Sequence, residues 1–192
     1  MANEITIEGL LTFLKVGLTA TLTLPRTTFT MNGANFIHRT QAILSTDTTL
    51  DIAALATPGL AFFVNRGPST IVKIKNVAAG TIMPKLKVGE LAFFRLDSTV
   101  TAPVAIATAL TITAATNAAA AKMTCAGHLL VTGNLVTISG FTGGWTGCNG
   151  TFSATYVDAS NFTIPVDSTA FGAMAGSPVM VSSSLEYLIL ED

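Results

Sequence analysis

The sequence predicts an all-β protein, a jelly-roll-like β-sandwich or barrel with a second small β-barrel inserted near its C-terminus. Three observations predict this. Apolar residues recur with period two, sustained helical periodicity is scarce, and charge is concentrated in two outer segments of the chain.

The elements follow in order. "TATLTL" (Thr19–Leu24) alternates small polar with apolar residues, the pattern of a half-buried strand. "LAFFV" is bracketed by the turn residues Pro58-Gly59 and "NRGP" (Asn65–Pro68). "STIVKIKNV" (Ser69–Val77) sets Val72 and Ile74 on one face and Lys73 and Lys75 on the other. "VGELAFFRLD" (Val88–Asp97) and "SLEYLILED" (Ser184–Asp192) are further strands, and the echo "LAFF" at Leu60–Phe63 and Leu91–Phe94 suits two core strands with similar burial. The brief helical contenders are "LTFLKVGL" (Leu11–Leu18) and "DIAALA" (Asp51–Ala56). In the interior, "LTIT", "LVTISGF", "TFSATYV" and "NFTI" are short strand patches separated by Thr-Gly, Gly-Gly, Asn-Gly and Asp-Ala-Ser. Asn149-Gly150 suits a primed hairpin turn, and Asp158 with Ser160 can bond back to the backbone.

Charge sets the domain organisation. The chain has 10 basic and 11 acidic residues, yet only Lys122, Asp158 and Asp167 lie between Thr101 and Ser183. A composition boundary on both sides of an interior block means a module that interrupts an outer domain. The expected division is residues 1–107 plus 183–192 for the outer sandwich and 108–182 for the inserted barrel. The last strand must then return to the outer sheet beside the early strands.

Composition narrows the function classes. Charged residues make up 11% of the chain, against about a quarter in an ordinary soluble domain, so much of the surface suits contact with other protein. A net charge of −1 gives no electrostatic case for nucleic acid. The uncharged run Thr101–Ala121 is long enough to span a bilayer, but it alternates Thr with small residues and contains Pro103 and Asn117, so no membrane span is expected. The opening "MANEITIEGL" lacks a charged-then-apolar leader pattern. Cys125 and Cys148, 23 residues apart, read as small buried hydrophobes, with a disulfide between adjacent strands as the alternative.

Catalytic motifs are missing. A phosphate loop needs a strand, a glycine-rich turn and then a helix whose N–H groups face the anion; "SGFTGGWTGCNGTF" has no Lys-Ser or Lys-Thr ending and leads into a strand, so its glycines are turns. His38 and His128 have no carboxylate at motif spacing, and no C-x-x-C or H-x-x-x-H pattern supports zinc. His128, beside a turn, reads as a capping or packing residue. No G-x-S-x-G elbow is present. Spacing leaves a glycosidase pair open among Glu4, Glu8, Asp47, Asp51, Glu90 and Asp97. The expectation is a non-enzyme with no catalytic residue, cofactor or metal. The basic residues Arg66, Lys73, Lys75, Lys85, Lys87 and Arg95 suit a solvated face with lysines that block edge pairing, or else an acidic partner. Trp145 and Tyr156 are the candidate contacts for a glycan or protein partner; the competing reading of Trp145 is a core plug.

The interior block, with Ala126-Gly127-His128, Thr132-Gly133, Val136 to Gly140, Asn149 to Phe152 and Val157 to Thr163, resembles a small β-barrel module of tailed-bacteriophage virion proteins. The same small fold is similar to the accessory half-domain of ubiquitin-activating enzymes. Leu129 stands where a second glycine is frequent in that module. The outer words "MANEITIEG", "NFIHRTQAI", "TPGLAFFVNRG", "LKVGELAFFRL" and "LEYLILED" resemble a family of small phage virion proteins, some similar to head decoration (cement) proteins. The resemblance implies a virion structural protein, assembled in the host cytoplasm, whose partners are the major capsid protein or other virion subunits. It also implies a homo-oligomer, with a trimer as one arrangement. A tail, collar or fibre-adaptor component and a glycan-binding module on the virion surface are the alternatives.

Overall fold

The computed structural model describes residues 5–15, 18–29, 33–68, 70–76, 80, 82–96 and 103–191. The chain is all-β, with strands in antiparallel sheets and a single short 3₁₀ segment among the described residues. No helix of the described residues is long and apolar enough to cross a membrane.

The chain opens with a two-stranded ribbon, β1 (Ile5–Lys15) against β2 (Leu18–Phe29). The described residues of "LTFLKVGL", a brief helical contender, are strand: its helical spacing is too short to sustain a helix. The register shifts where Glu8 on β1 meets Pro25 and Arg26 on β2, a bulge that accommodates a proline without an N–H to donate.

The outer unit follows with β3 (Phe36–Ala42), β4 (Thr48–Thr49), β5 (Pro58–Asn65), β6 (Val72–Lys75), β7 (Ile82–Leu86), β8 (Leu91–Arg95) and β9 (Val104–Ala107). "DIAALA" forms turns between β4 and β5 instead of the helix its spacing suggested. Leu50, Ile52 and Leu55 are nevertheless buried there, so this segment contributes to the core from a loop. The inserted unit comprises β10 (Leu110–Thr111), β11 (Ala114–Thr116), β12 (Ala121–Thr124), β13 (Leu135–Phe141), β14 (Gly150–Ser153), β15 (Thr155–Asp158), β16 (Asn161–Ile164) and β17 (Gly176–Val181). The last strand, β18 (Ser184–Glu191), returns to the outer unit.

Two four-stranded sheets form the outer unit, in the orders β3-β18-β5-β8 and β4-β9-β6-β7. Ile37, Phe63, Leu185, Tyr187 and Ile189 of the first sheet pack with Val72, Ile74, Leu86, Ala105 and Ala107 of the second. The predicted alternation in β6 holds, with Val72 and Ile74 buried. The two "LAFF" words are neighbours, not distant equivalents. β5 pairs antiparallel with β8, so that Phe62 stacks on Phe93 at 4.4 Å outside and Phe63 lies 5.3 Å from Phe94 inside. Inside this core Asn65 is fully buried, with its amide donating to the Thr70 and Leu86 carbonyls and its Oδ1 accepting from Gly67 N–H.

Hydrogen bonds resolve the inserted unit into two more four-stranded sheets, β10-β17-β13-β14 and β11-β12-β16-β15. The module expected as a small β-barrel is built from these two sheets, with the chain passing directly from one to the other between β10 and β11 and between β14 and β15. Its own cluster includes Ile112, Met123, Ile138, Trp145, Phe162 and Met180, none shared with the outer core. Strands change from one pair of sheets to the other between Ala107 and Leu110 and between Val181 and Ser184. The strands β12 and β17 carry weak alternation signals and were not among the sequence-predicted patches.

Two details show why particular residues stand where they do. Gly140 and Gly176 lie in the left-handed region, at φ 93° and 98°, where β13 crosses β17. A Cβ on Gly176 would collide with the Gly140 carbonyl oxygen, so neither strand tolerates a side chain there. Glu191 at the end of β18 accepts from Ala56 N–H at 2.9 Å with one oxygen, and from Ala34 N–H, Asn35 N–H and the Asn35 amide with the other. These bonds, led by the Ala56 N–H, hold the Glu191 carboxyl below its ordinary range.

Gly176→Ala should lower unfolding free energy by about 2–4 kcal/mol in urea titration, since strain and overpacking add. Glu191→Gln should lower the melting temperature at pH 7. A carboxyl depressed in the folded state stabilises above its unfolded pKa of about 4.3, and that contribution is lost as pH falls through the folded value. The gap between wild type and variant should therefore close in melting curves taken from pH 7 down to pH 3.

Candidate functional site

The two candidate contacts sit in different environments. Trp145 lies in the 3₁₀ segment Gly143–Cys148 and is fully buried. It stacks on Phe141 at 5.5 Å, meets Phe171 edge-on, and donates its indole N–H to the Gly172 carbonyl at 2.9 Å. A sugar needs an open ring face, and this ring has none, so Trp145 is corrected from contact residue to core plug. Tyr156 on β15 is 47% exposed and is the member of the pair that reaches the surface.

The glycine-rich stretch around Trp145, expected as turns, is a 3₁₀ segment, Gly143–Cys148, followed by strand β14. Asn149 closes it, but not as a hairpin turn: it is the C-cap of the 3₁₀ segment, with φ −80°. Its side chain accepts from Phe141 N–H and donates to Phe141 C=O, standing in for one residue of a neighbouring strand. Asp158 bonds Ser160 N–H at 2.8 Å, and this bond and the Asn161 amide hold its carboxyl low.

His128 supports the surface near Tyr156. It is fully buried, its Nδ1 accepts from Leu130 N–H at 3.0 Å, and its Nε2 reaches the Asp158 carbonyl at 3.0 Å. An acceptor at Nδ1 and a carbonyl at Nε2 fix the neutral tautomer protonated at Nε2. Both nitrogens are committed to holding a loop. Thr132 Oγ1 accepts from Tyr156 N–H at 3.1 Å, and Gly133 N–H donates to the Ala154 carbonyl, which joins the loop to β15.

This loop presents an apolar surface. Leu129 is 68% exposed, and Val131, Tyr156 and Val157 are exposed beside it. Leu129 has φ 48°, the left-handed region that disfavours a leucine. No charged residue occurs from Ala126 to Val157. Sequence reasoning singled out Tyr156 but missed Leu129 and Val131. In the word "HLLV" Leu130 faces inward while Leu129 and Val131 on either side face out, and a run of three apolar residues does not itself say which of them is displayed.

Other sequence candidates have structural partners. His38 Nε2 and Arg66 Nε both bind Glu186, at 2.9 and 2.6 Å, and these two bonds hold the Glu186 carboxyl low. Asp47 pairs with Lys75, Asp51 with Arg39, and Glu90 accepts from Lys87 N–H. Glu8 is exposed on β1, while Glu4 and Asp97 lie outside the described residues. Lys73 and Lys85 stand opposite each other on β6 and the edge strand β7, where like charges discourage a further strand. Cys125 and Cys148 are free and buried, and burial pushes the Cys125 thiol up to about 11 and raises that of Cys148. No group of three or more His, Cys, Asp or Glu side chains that could hold a metal occurs among the described residues. A groove of about 370 Å³ lies where the units meet, lined by Ile43, Leu44, Arg66, Asn134, Leu135 and Ser184 among others.

No family model matches the sequence, and no curated protein matches it.

Leu129→Gly should raise unfolding free energy by about 0.5–1 kcal/mol, because it relieves the left-handed leucine and removes no buried contact. His128→Ala should lower it by about 2–4 kcal/mol, since it leaves a cavity and two unpaired backbone groups. Denaturant titration of both variants checks the pair.

Proposed function

We propose that this protein is a non-enzymatic structural subunit of a bacteriophage virion, a decoration or cement protein that binds the head shell. The observation that carries the proposal is the strand order of the outer unit. Counted within that unit, its eight strands form the sheets 1-8-3-6 and 2-7-4-5. Every connection crosses between the sheets except the fourth to fifth, β6 to β7. This order supports a jelly-roll reading, an architecture that viral coat domains use, and the insertion then occupies the last crossover. Fold alone does not fix function. The uncharged interior block and the phage-module words at Ala126–Gly127–His128 and Val136 to Gly140 add to the reading.

The mechanism is cooperative burial of weak contacts. One contact of about 1,600 Å² gives modest affinity, and several copies held by symmetry raise it without new chemistry. The inserted unit offers the loop carrying Leu129 and Val131 to a neighbouring subunit, with Tyr156 beside it. A tail, collar or fibre-adaptor position is the second reading, and it rests on the same resemblance. The glycan-binding reading loses one of its two rings to the core, because Trp145 is enclosed.

Quantitative mass spectrometry of purified particles separates the positions: hundreds of copies place the protein on the head, about three to twelve place it on the tail. In a binding assay with particles lacking the protein, the double variant Leu129→Asp, Val131→Asp should lose at least about tenfold in affinity while keeping its melting temperature. Unchanged binding would remove this loop from the interface.

A further inference from the structure

The two sheets of the outer unit end in the edge strands β3, β4, β7 and β8. An open edge offers a row of N–H and C=O groups to any extended chain, and folded proteins obstruct such edges. Three of these strands are obstructed. β4 is only two residues long. β7 carries Pro84, which has no N–H, sets Lys85 against Lys73, and meets a register shift between Lys73 and Lys75. Along β3, Gln41 donates its amide to the Thr49 carbonyl and Arg39 pairs with Asp51, which fastens the following loop to the strand.

β8 has no such device. It runs in unbroken register against β5, and among the described residues no strand pairs with its other side. It holds no proline, and its one charged residue, Arg95, is its last. Hydrogen bonds at the two ends fix which groups face out. Asn65 N–H donates to the Glu90 carbonyl, and Leu96 N–H donates to the Gly59 carbonyl. Bonded and non-bonded pairs alternate along an antiparallel ladder, so Ala92 and Phe94 bond to β5. The N–H and C=O of Leu91 and Phe93 then point away from the sheet. Their side chains are displayed as well, Leu91 at 70% and Phe93 at 38% exposure.

We propose that β8 pairs antiparallel with β8 of a second copy about a two-fold axis at Ala92, which joins two four-stranded sheets into one of eight strands. The occupant follows from the edge. Its complement is another open edge of similar length with apolar side chains on the same face, and within the outer unit β8 alone meets that description. An axis at Ala92 sets Leu91 opposite Phe93 of the second copy and Phe93 opposite its Leu91, with backbone bonds exchanged in each pair. Ala92 is the smallest side chain of the strand, so nothing crowds the axis. Moving the axis to Phe93 would set Leu91 against Arg95, so charge selects the register. The outer rows then run on between copies: Leu188, Phe62 and Phe93 continue into Leu91 and Val64 of the second copy. The contact is the same patch on both sides, so assembly closes at two copies.

This inference goes beyond the head-binding reading and uses a surface distinct from the Leu129 loop. It is tested on the isolated protein, so its failure leaves that reading standing. A strand pair is smaller than the standard interface of about 800 Å² per partner, so sedimentation velocity should show dimers growing in between about 1 µM and about 500 µM. Leu91→Lys and Leu91→Pro should each weaken association at least about tenfold, with the melting temperature at about 1 µM unchanged. The proline removes an outward N–H and no bond to β5. Under mild oxidation Ala92→Cys should give a disulfide-linked dimer, because facing residues of a non-hydrogen-bonded pair lie about 4.5 Å apart at Cα. The native Cys125 and Cys148 are buried and should stay unlinked. A chain that is monomeric at about 500 µM, an association indifferent to both Leu91 variants, or an Ala92→Cys protein that does not cross-link would each overturn the proposal.

Discussion

The pairing of β18 between β3 and β5 is the constraint on which the rest of the molecule depends. Leu185, Tyr187 and Ile189 enter the outer core from this strand, and its neighbours come from residues more than a hundred positions earlier. Without it, one outer sheet would separate into the isolated strand β3 and the two-strand pair β5–β8. The inserted unit must therefore leave and re-enter the outer unit at compatible points. Thr108 N–H donating to the Ile71 carbonyl, Ile43 N–H donating to the Ser183 carbonyl and Ser182 Oγ donating to the Leu135 carbonyl tie those points together. Gly67 permits the closest approach, because a Cβ there would meet the Ser183 backbone at 2.5 Å. Such non-local closure carries a loop entropy that grows slowly with length, which is why a module of this size can be accommodated.

Within each unit, polar side chains do the work that backbone pairing leaves undone. Asn65 satisfies a bend in the outer core, Asn149 substitutes for a strand beside Phe141, and His128 secures the loop that displays Leu129. Tyr187 belongs to the same group, with its hydroxyl reaching Gln41 and the Asp51 carbonyl while its ring fills the core. Asn65, His128 and Tyr187 are enclosed while Asn149 lies at the surface, and each has its hydrogen-bonding groups matched. The result is a set of rigid frames beneath surfaces with little charge.

The histidines illustrate how the same residue type serves two environments. His38 is exposed and shares Glu186 with Arg66, whereas His128 is enclosed and serves backbone groups alone. The sequence showed both lacking a catalytic partner at motif spacing. Only the fold shows that the carboxylate beside His38 comes from the last strand, 148 residues away.

The sequence by itself determined the strand character of most segments, the buried face of β6, the turn chemistry around Asp158 and the uncharged interior block. These are local properties, since alternation and turn preference act over a few residues. The tertiary structure decided what depends on distant neighbours: that Trp145 is enclosed, that the two "LAFF" strands pair, and that "LTFLKVGL" extends into a ribbon. It also decided which leucine of "HLLV" faces outward. An aromatic or leucine side chain carries the same signal whether buried or displayed, and only the surfaces brought against it settle the difference.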